Sequence, residues 1–214
     1  MRLLLFLALS LFIILSCKHK QTYNEKKKEL NAGKLTEDNL YTVKEVGWTV
    51  KIPDGWRILT REENSKLTVK GKEAMEKSSN IEVDVSNLVS LLSFKKDMYN
   101  SFLSTMQAFD ENEYGSYDKQ SFAVHQVIKE TYAAKNIPAE YELAASRVGG
   151  IMFDRFIAKV YSPDKKKIIM TQEMFSCLIN GYDFAMTINY NNDKDKETLL
   201  NVITTSTFSD VKNQ

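Results

Sequence analysis

Two histidines and two cysteines stand in this chain of 214 residues, and they are the first to weigh for chemistry. Zinc sites and acid–base dyads need His or Cys in clusters, at helical or turn spacings. His19 stands in a lysine-rich stretch and His125 in the middle of a helical pattern, on its inward stripe, with no second ligand near in sequence. His125 is therefore read as a packed, structural histidine. Cys177 lies in the apolar run "MFSCLI", where no basic neighbour in sequence lowers its pKa, so it is read as buried and inert. Two acidic runs look at first like calcium loops. "DENEYG", residues 110–115, opens as D-x-N-x-x-G, but Tyr114 fills the fifth position and Ser121 the twelfth, where oxygen ligands are needed. "DKDKE", residues 193–197, has Thr198 where the loop requires glycine. Both are read as acidic turns leading into helices, since negative charge is favoured near a helix N-terminus. No serine sits in a G-x-S-x-G elbow, and no glycine-rich loop has phosphate-binding spacing. The expectation is a chain with no catalytic residue, no metal and no cofactor.

Cys17 differs from Cys177 because of what precedes it. From Leu3 to Ser16 the chain is apolar and uncharged, but shorter than the roughly 20 residues a helix needs to cross a bilayer. The polar "KHKQTYNEKKKE" that follows forbids extending it. A positive start at Met1-Arg2, an apolar run and a small residue at Ser16 make residues 1–16 a signal sequence. "ILSC" resembles the lipobox of bacterial lipoproteins: an aliphatic residue, a variable one, a small one, then cysteine. The resemblance implies that the Cys17 thiol takes a diacylglyceryl group and that its amine is acylated after cleavage. Two or more acyl chains anchor stably, at roughly 0.8 kcal/mol per buried methylene, where one binds marginally. An ordinary secretory signal followed by an incidental cysteine is the alternative. With lipid on Cys17, Cys177 has no disulfide partner, and the exported part must rely on its core.

The 29 basic and 28 acidic side chains nearly cancel, which gives no reason to expect nucleic acid or another polyanion as partner. Residues 17–40 are polar, rich in lysine and without apolar periodicity, and read as a flexible tether. A coil of some 23 residues spans roughly 25 Å. Its lysines, Lys18, Lys20, Lys26, Lys27 and Lys28, offer either a solvated spacer or a site for anionic lipid at about 1 kcal/mol each.

From about residue 41 to 208 the pattern becomes that of one folded domain, with residues 209–214 as a disordered tail. Val46, Trp48, Val50 and Ile52 alternate as in a half-buried strand. Pro53-Asp54-Gly55 turns the chain towards a short strand at Trp56 and Ile58. Thr60 with Glu63 forms a capping box that predicts a helix to about Ser78, with Leu67, Gly71, Ala74 and Met75 on one face. Gly71 in mid-helix costs about 1 kcal/mol relative to alanine. Two strands joined around Lys95–Asp97 follow, then a helix over about 117–135 with Ser121, Val124, His125, Ile128 and Tyr132 inward. Gly149-Gly150 and Asn180-Gly181 are two-residue hairpin turns, because both central residues tolerate positive φ. With "SPDKK" between them they predict an antiparallel meander over about 141–148, 151–161, 167–179 and 182–190. In its last strand Tyr182, Phe184, Met186, Ile188 and Tyr190 alternate with Asp183, Ala185, Thr187 and Asn189. A helix over about 194–206 turns Leu199, Val202 and Ile203 inward. The predicted class is α+β, an antiparallel sheet of about six strands covered by helices on both faces.

"WTVKIPDGW" and "LLNVITTSTF" resemble the opening strand and the closing helix of the PsbP-like fold. That superfamily includes the extrinsic PsbP subunit of photosystem II, a Ran-binding nuclear transport factor and many bacterial lipoproteins of unassigned function. Thr207-Phe208 stands where the family usually has Ser-Phe. The resemblance implies an α/β/α sandwich that binds macromolecules without catalysis, and it supplies no site residue to carry over. The expectation is a lipid-anchored protein of the cell envelope, facing the periplasm, that docks an envelope protein partner. A small apolar ligand held between sheet and helix, against the aromatic strand Tyr182–Tyr190, is the alternative, and an unrecognised enzyme the third.

Overall fold

A computed structural model describes residues 33–79 and 82–211. The signal sequence, Cys17, His19 and the lysines of the tether lie outside the described residues. The elements are β1 (Lys34–Leu35), β2 (Leu40–Val43), β3 (Trp48–Lys51), β4 (Arg57–Ile58), α1 (Arg61–Ser79), β5 (Val89–Lys95), β6 (Ser101–Ala108), α2 (Glu111–Tyr114), α3 (Tyr117–Ala134), β7 (Ala139–Val148), β8 (Ile151–Tyr161), β9 (Ile168–Ile179), β10 (Tyr182–Tyr190), α4 (Asp193–Thr204) and β11 (Thr207–Phe208). Among the described residues the strands form two antiparallel sheets, a seven-stranded one in the order β4-β5-β6-β10-β9-β8-β7 and a four-stranded one in the order β1-β2-β3-β11.

The meander folds as its turn residues dictate. Gly149 and Gly150, and Asn180 and Gly181, all take positive φ, the geometry that matches a tight turn to the twist of its strands. Helix α1 starts where its capping box places it. The Glu63 amide donates to Thr60 Oγ1 at 3.2 Å, and the Thr60 amide donates back to Glu63 Oε2 at 2.9 Å. Bonds from the Arg57 guanidinium, together with the Thr60 amide, hold the Glu63 carboxyl down to about 2. Gly71 breaks nothing, and the helix runs through it.

The small sheet corrects the expected outer boundaries. Strand pairing begins at Lys34, inside the stretch read as tether, with Leu35 opposite Tyr41. At the other end Ser209, assigned to the tail, donates its amide to the Gly47 carbonyl at 2.9 Å. Gly47 is required there: its φ is +65°, and a Cβ would fall 1.7 Å from the Ser209 carbonyl oxygen.

The small sheet and α4 cover one face of the large sheet, and the core lies between them. It joins Val43, Trp48 and Val50 from the small sheet, Phe102, Phe153, Phe175 and Phe184 from the large one, and Leu199, Val202 and Ile203 from α4. Trp48 is fully buried at its centre, 5.1 Å from Phe184 and 6.2 Å from Phe102 between ring centroids, and its indole N–H donates to Ser206 Oγ at 3.1 Å. On the same face of the large sheet the Glu173 side chain, 2% exposed, holds an ion pair with Arg155 at 2.6 Å and accepts from the Tyr190 hydroxyl at 2.6 Å. Arg155 also lies over the Phe175 ring, 5.4 Å from its centroid.

The opposite face of the large sheet carries α1 and α3. Strand pairing assigns it the residues that alternate with the core set, which is why β8 and β10 are buried on both sides.

Candidate functional site

The helix-facing surface of the large sheet is paved with short side chains. Thr105 on β6, Ala185 on β10 and Ser176 on β9 lie side by side in register, as do Gln107, Asp183 and Leu178 in the next row. Side chains of this size reach only a short way from the sheet, and α1 does not sink to meet them. From Arg61 to Ser78 no residue of α1 is buried, and Leu67 and Val69 are 52% and 49% exposed. Of the face expected to turn inward, Leu67, Gly71 and Met75 do line the space below, together with Asn64 and Thr68, but they do not fill it. It is tied down by hydroxyls at its flanks, Thr68 Oγ1 to Ser90 Oγ at 3.4 Å and Ser78 Oγ to Thr131 Oγ1 of α3 at 3.1 Å.

A cleft of about 410 Å³ results, bounded by α1, α3, residues 83–88 and the paved sheet. Leu67, Met75, Val85 and Leu88 line it from the helix side, and on the sheet side Leu103 and Met174 flank Thr187 in one row. The neighbouring rows of the sheet add the polar Thr105, Ser176, Gln107 and Asp183. A space of about 570 Å³ on the far flank of α1 shares Asn64, Thr68, Val85, Leu88 and Ser90 with it, so α1 stands off the sheet along both sides.

Asp183 dominates the electrostatics of the cleft. Its carboxylate accepts from the Tyr117 hydroxyl at 3.1 Å and from Gln107 Nε2 at 3.4 Å, and no cation pairs with it among the described residues. Burial pushes its pKa up against the effect of those two donors. The same burial raises Tyr117 and Cys177, each pushed further by the nearby Asp183 charge, so both stay neutral. Beside them Ser176 Oγ is buried without a hydrogen-bond partner among the described residues. Lys72, the cation of the lining, is 3.5 Å from Glu76.

The structure places the residues singled out in the sequence elsewhere. His125 is 4% exposed and stacked on Phe156, with centroids 4.6 Å apart and planes 9° from parallel. Burial lowers its pKa, and Nε2 has no partner among the described residues. Asp110 caps α2 by accepting from the Asn112 amide, and Asn192 caps α4 by accepting from the Asp195 amide, so both acidic runs do lead into helices. Cys177 is buried in the core. The aromatic side of β10 needs a correction as a ligand wall. Tyr182, Phe184, Met186, Ile188 and Tyr190 all belong to the packed core, and the open space lies against the other side of the strand, at Asp183, Ala185 and Thr187. Among the described residues no three His, Cys, Asp or Glu gather as a metal site, and no helix is long and apolar enough to cross a membrane.

Among solved structures, the solution structure of cyanobacterial PsbP (CyanoP) from Synechocystis sp. PCC 6803 is similar to this chain. The TM-score is 0.52, at 10% sequence identity, covering 85% of this chain and 99% of that one. The fold is PsbP-like. Identity this low carries the architecture and no residue roles. No family model matches the chain, and neither does any curated protein. In the PsbP-like fold the two segments that carried the resemblance come together, since Thr207 and Phe208 of β11 pair with Thr49 and Trp48 of β3.

Proposed function

We propose that this chain is a non-catalytic accessory module of a bacterial cell envelope that binds a small amphipathic ligand in the cleft beneath α1. Lipid on Cys17 holds it to a membrane, and the residues after Cys17 serve as the spacer. The cleft carries the reading. Protein interiors are close-packed, and a helix laid on a sheet ordinarily interdigitates with it. Here short floor residues and a helix with no buried residue from Arg61 to Ser78 leave about 410 Å³ lined by apolar side chains and polar groups together, the make-up of a small-molecule site. The PsbP-like fold supports the accessory role, and "ILSC" supports the anchor.

Native mass spectrometry of the chain purified from its own cells tests the ligand reading. Excess mass on the wild-type chain, lost in an Ala185→Leu variant whose side chain fills the cleft, is the expected result. An unliganded wild-type chain, or ligand retained by Ala185→Leu, refutes it. Intact mass of membrane-extracted protein tests the anchor, which an unmodified Cys17 thiol overturns.

Docking of an envelope protein is the second reading, favoured by one observation. Strand β7 is an edge strand of the large sheet, and on it and its neighbour Leu143 and Met152 are 58% and 49% exposed. A photo-cross-linker at Leu143 in intact cells should then capture one reproducible protein, and no capture counts against docking.

A further inference from the structure

We infer that the cleft recognises its ligand through an ammonium group, which Asp183 receives at the polar floor while the apolar body lies between the Leu67–Met75 and Leu103–Met174 walls. This rests on the cleft being a ligand site and adds the chemical class of the ligand.

Three observations carry it. Asp183 lies in the cleft lining and is mostly buried, yet it is held by two neutral donors, Tyr117 and Gln107, with no cation beside it among the described residues. A desolvated carboxylate without a countercharge is costly, and a charge-assisted bond from a ligand ammonium offsets that cost. Second, the lining is short of positive charge. Its one ammonium, that of Lys72, already faces Glu76, which leaves the carboxylate of Asp183 without a cation among the described residues. An anionic head group meets repulsion here and a cationic one attraction. Third, Ser176 Oγ, buried without a hydrogen-bond partner among the described residues, lies on the same face of the sheet diagonally across from Asp183, opposite Ala185 on the neighbouring strand. A small shift gives it an acceptor role towards a second ammonium proton. The apolar walls meanwhile exclude water from the rest of a short chain or ring, so head and body are bound by different chemistry in one cleft.

The groups that meet Asp183 are Tyr117 from α3 and Gln107 from β6, with Cys177 near it on the opposite face of β9, and none is cationic. Burial keeps Tyr117 and Cys177 neutral, so Asp183 is the group among them that changes charge as the pH falls through the acid range.

Three probes with one body and different heads test the inference: 4-phenylbutylamine, 4-phenylbutan-1-ol and 4-phenylbutyrate. Binding is measured by calorimetry and by methyl chemical shifts of Leu103 and Met174, on the chain from residue 17 onward with Cys17→Ser to keep it free of lipid and detergent. At neutral pH the amine should bind about ten-fold or more tightly than the alcohol, and the carboxylate weakest of the three. Asp183→Asn should erase the advantage of the amine over the alcohol. Should that variant fold poorly, acidification of the wild-type chain until Asp183 is protonated should erase the same advantage. Equal binding of amine and alcohol, or an amine preference that survives both Asp183→Asn and acid, overturns the ammonium inference and leaves the ligand cleft standing. No shift with any probe overturns the inference together with the ligand reading beneath it.

Discussion

Replacing Arg155 with methionine keeps an apolar side chain of similar length but removes the guanidinium that lies over Phe175 and faces Glu173. The Glu173 carboxylate, 2% exposed, then retains the neutral Tyr190 hydroxyl as its bonded donor. Stranding one member of a buried ion pair costs about 3–5 kcal/mol. Glu173→Met strands Arg155 instead, whose side chain is 27% exposed and reaches water. The main loss there is the orphaned Tyr190 hydroxyl, about 1–3 kcal/mol. The double variant contains no unpaired ion, so its loss should fall short of the sum of the two singles by about 2 kcal/mol or more. Tyr190→Phe added to the double variant should then be neutral or stabilising, because it removes a hydroxyl that has lost its acceptor. Urea unfolding followed by far-UV circular dichroism gives all four differences, provided the m-values agree. Additivity of the two single substitutions to within about 0.5 kcal/mol would refute the reasoning and place the pair in effective contact with solvent.

Trp48→Ala should cost about 3–5 kcal/mol in the same urea assay, given a fully buried ring shared by both sheets, and a loss below about 1 kcal/mol would contradict its place in the core. Gly71→Ala should stabilise the chain by about 1 kcal/mol, because the added Cβ meets nothing within 4 Å and the helix already runs through that position; a fall in the urea midpoint would show that the glycine has another role. Asp183→Asn should raise the urea midpoint at pH 7.5 but not near pH 3. The folded state holds the Asp183 pKa above its unfolded value, so the wild-type chain loses stability as pH rises through that higher value. An Asn variant equally destabilised at both pH values would mean that burial of the charge is not what governs this site.

The meander was legible almost to the residue. Gly149-Gly150 and Asn180-Gly181 leave few conformations open to the turns, and the strands between them are long enough to show a period. The Thr60–Glu63 box was legible because both of its bonds are local. β1 and β11 are two residues each, too short to show any alternation, and they complete a second sheet where one was expected. The cleft was hidden for another reason. Thr105, Asp183, Ala185 and Thr187 look in sequence like the solvated side of half-buried strands. What covers them is a helix with few apolar residues, of which Leu67 and Val69 remain about half exposed. A signal was present: the outward side of β10 offers nothing larger than Asp183 and Asn189, unusually small for a strand in the middle of a sheet.

The pairing of Thr207 with Thr49 joins partners from opposite ends of the folded region, with the Ser209–Gly47 bond extending it. A chain delivered N-terminus first, whether by a ribosome or through a pore, presents Trp48 long before any β11 exists to lie beside it. Until Ser206 arrives, the indole N–H lacks its acceptor and the edge of β3 is an open template for other strands. Contacts of such sequence separation are slow to form, since the loop entropy is lost before the contact is gained. The nascent form is therefore a sticky intermediate for as long as its last dozen residues are withheld, and a holding chaperone has most to do during that interval.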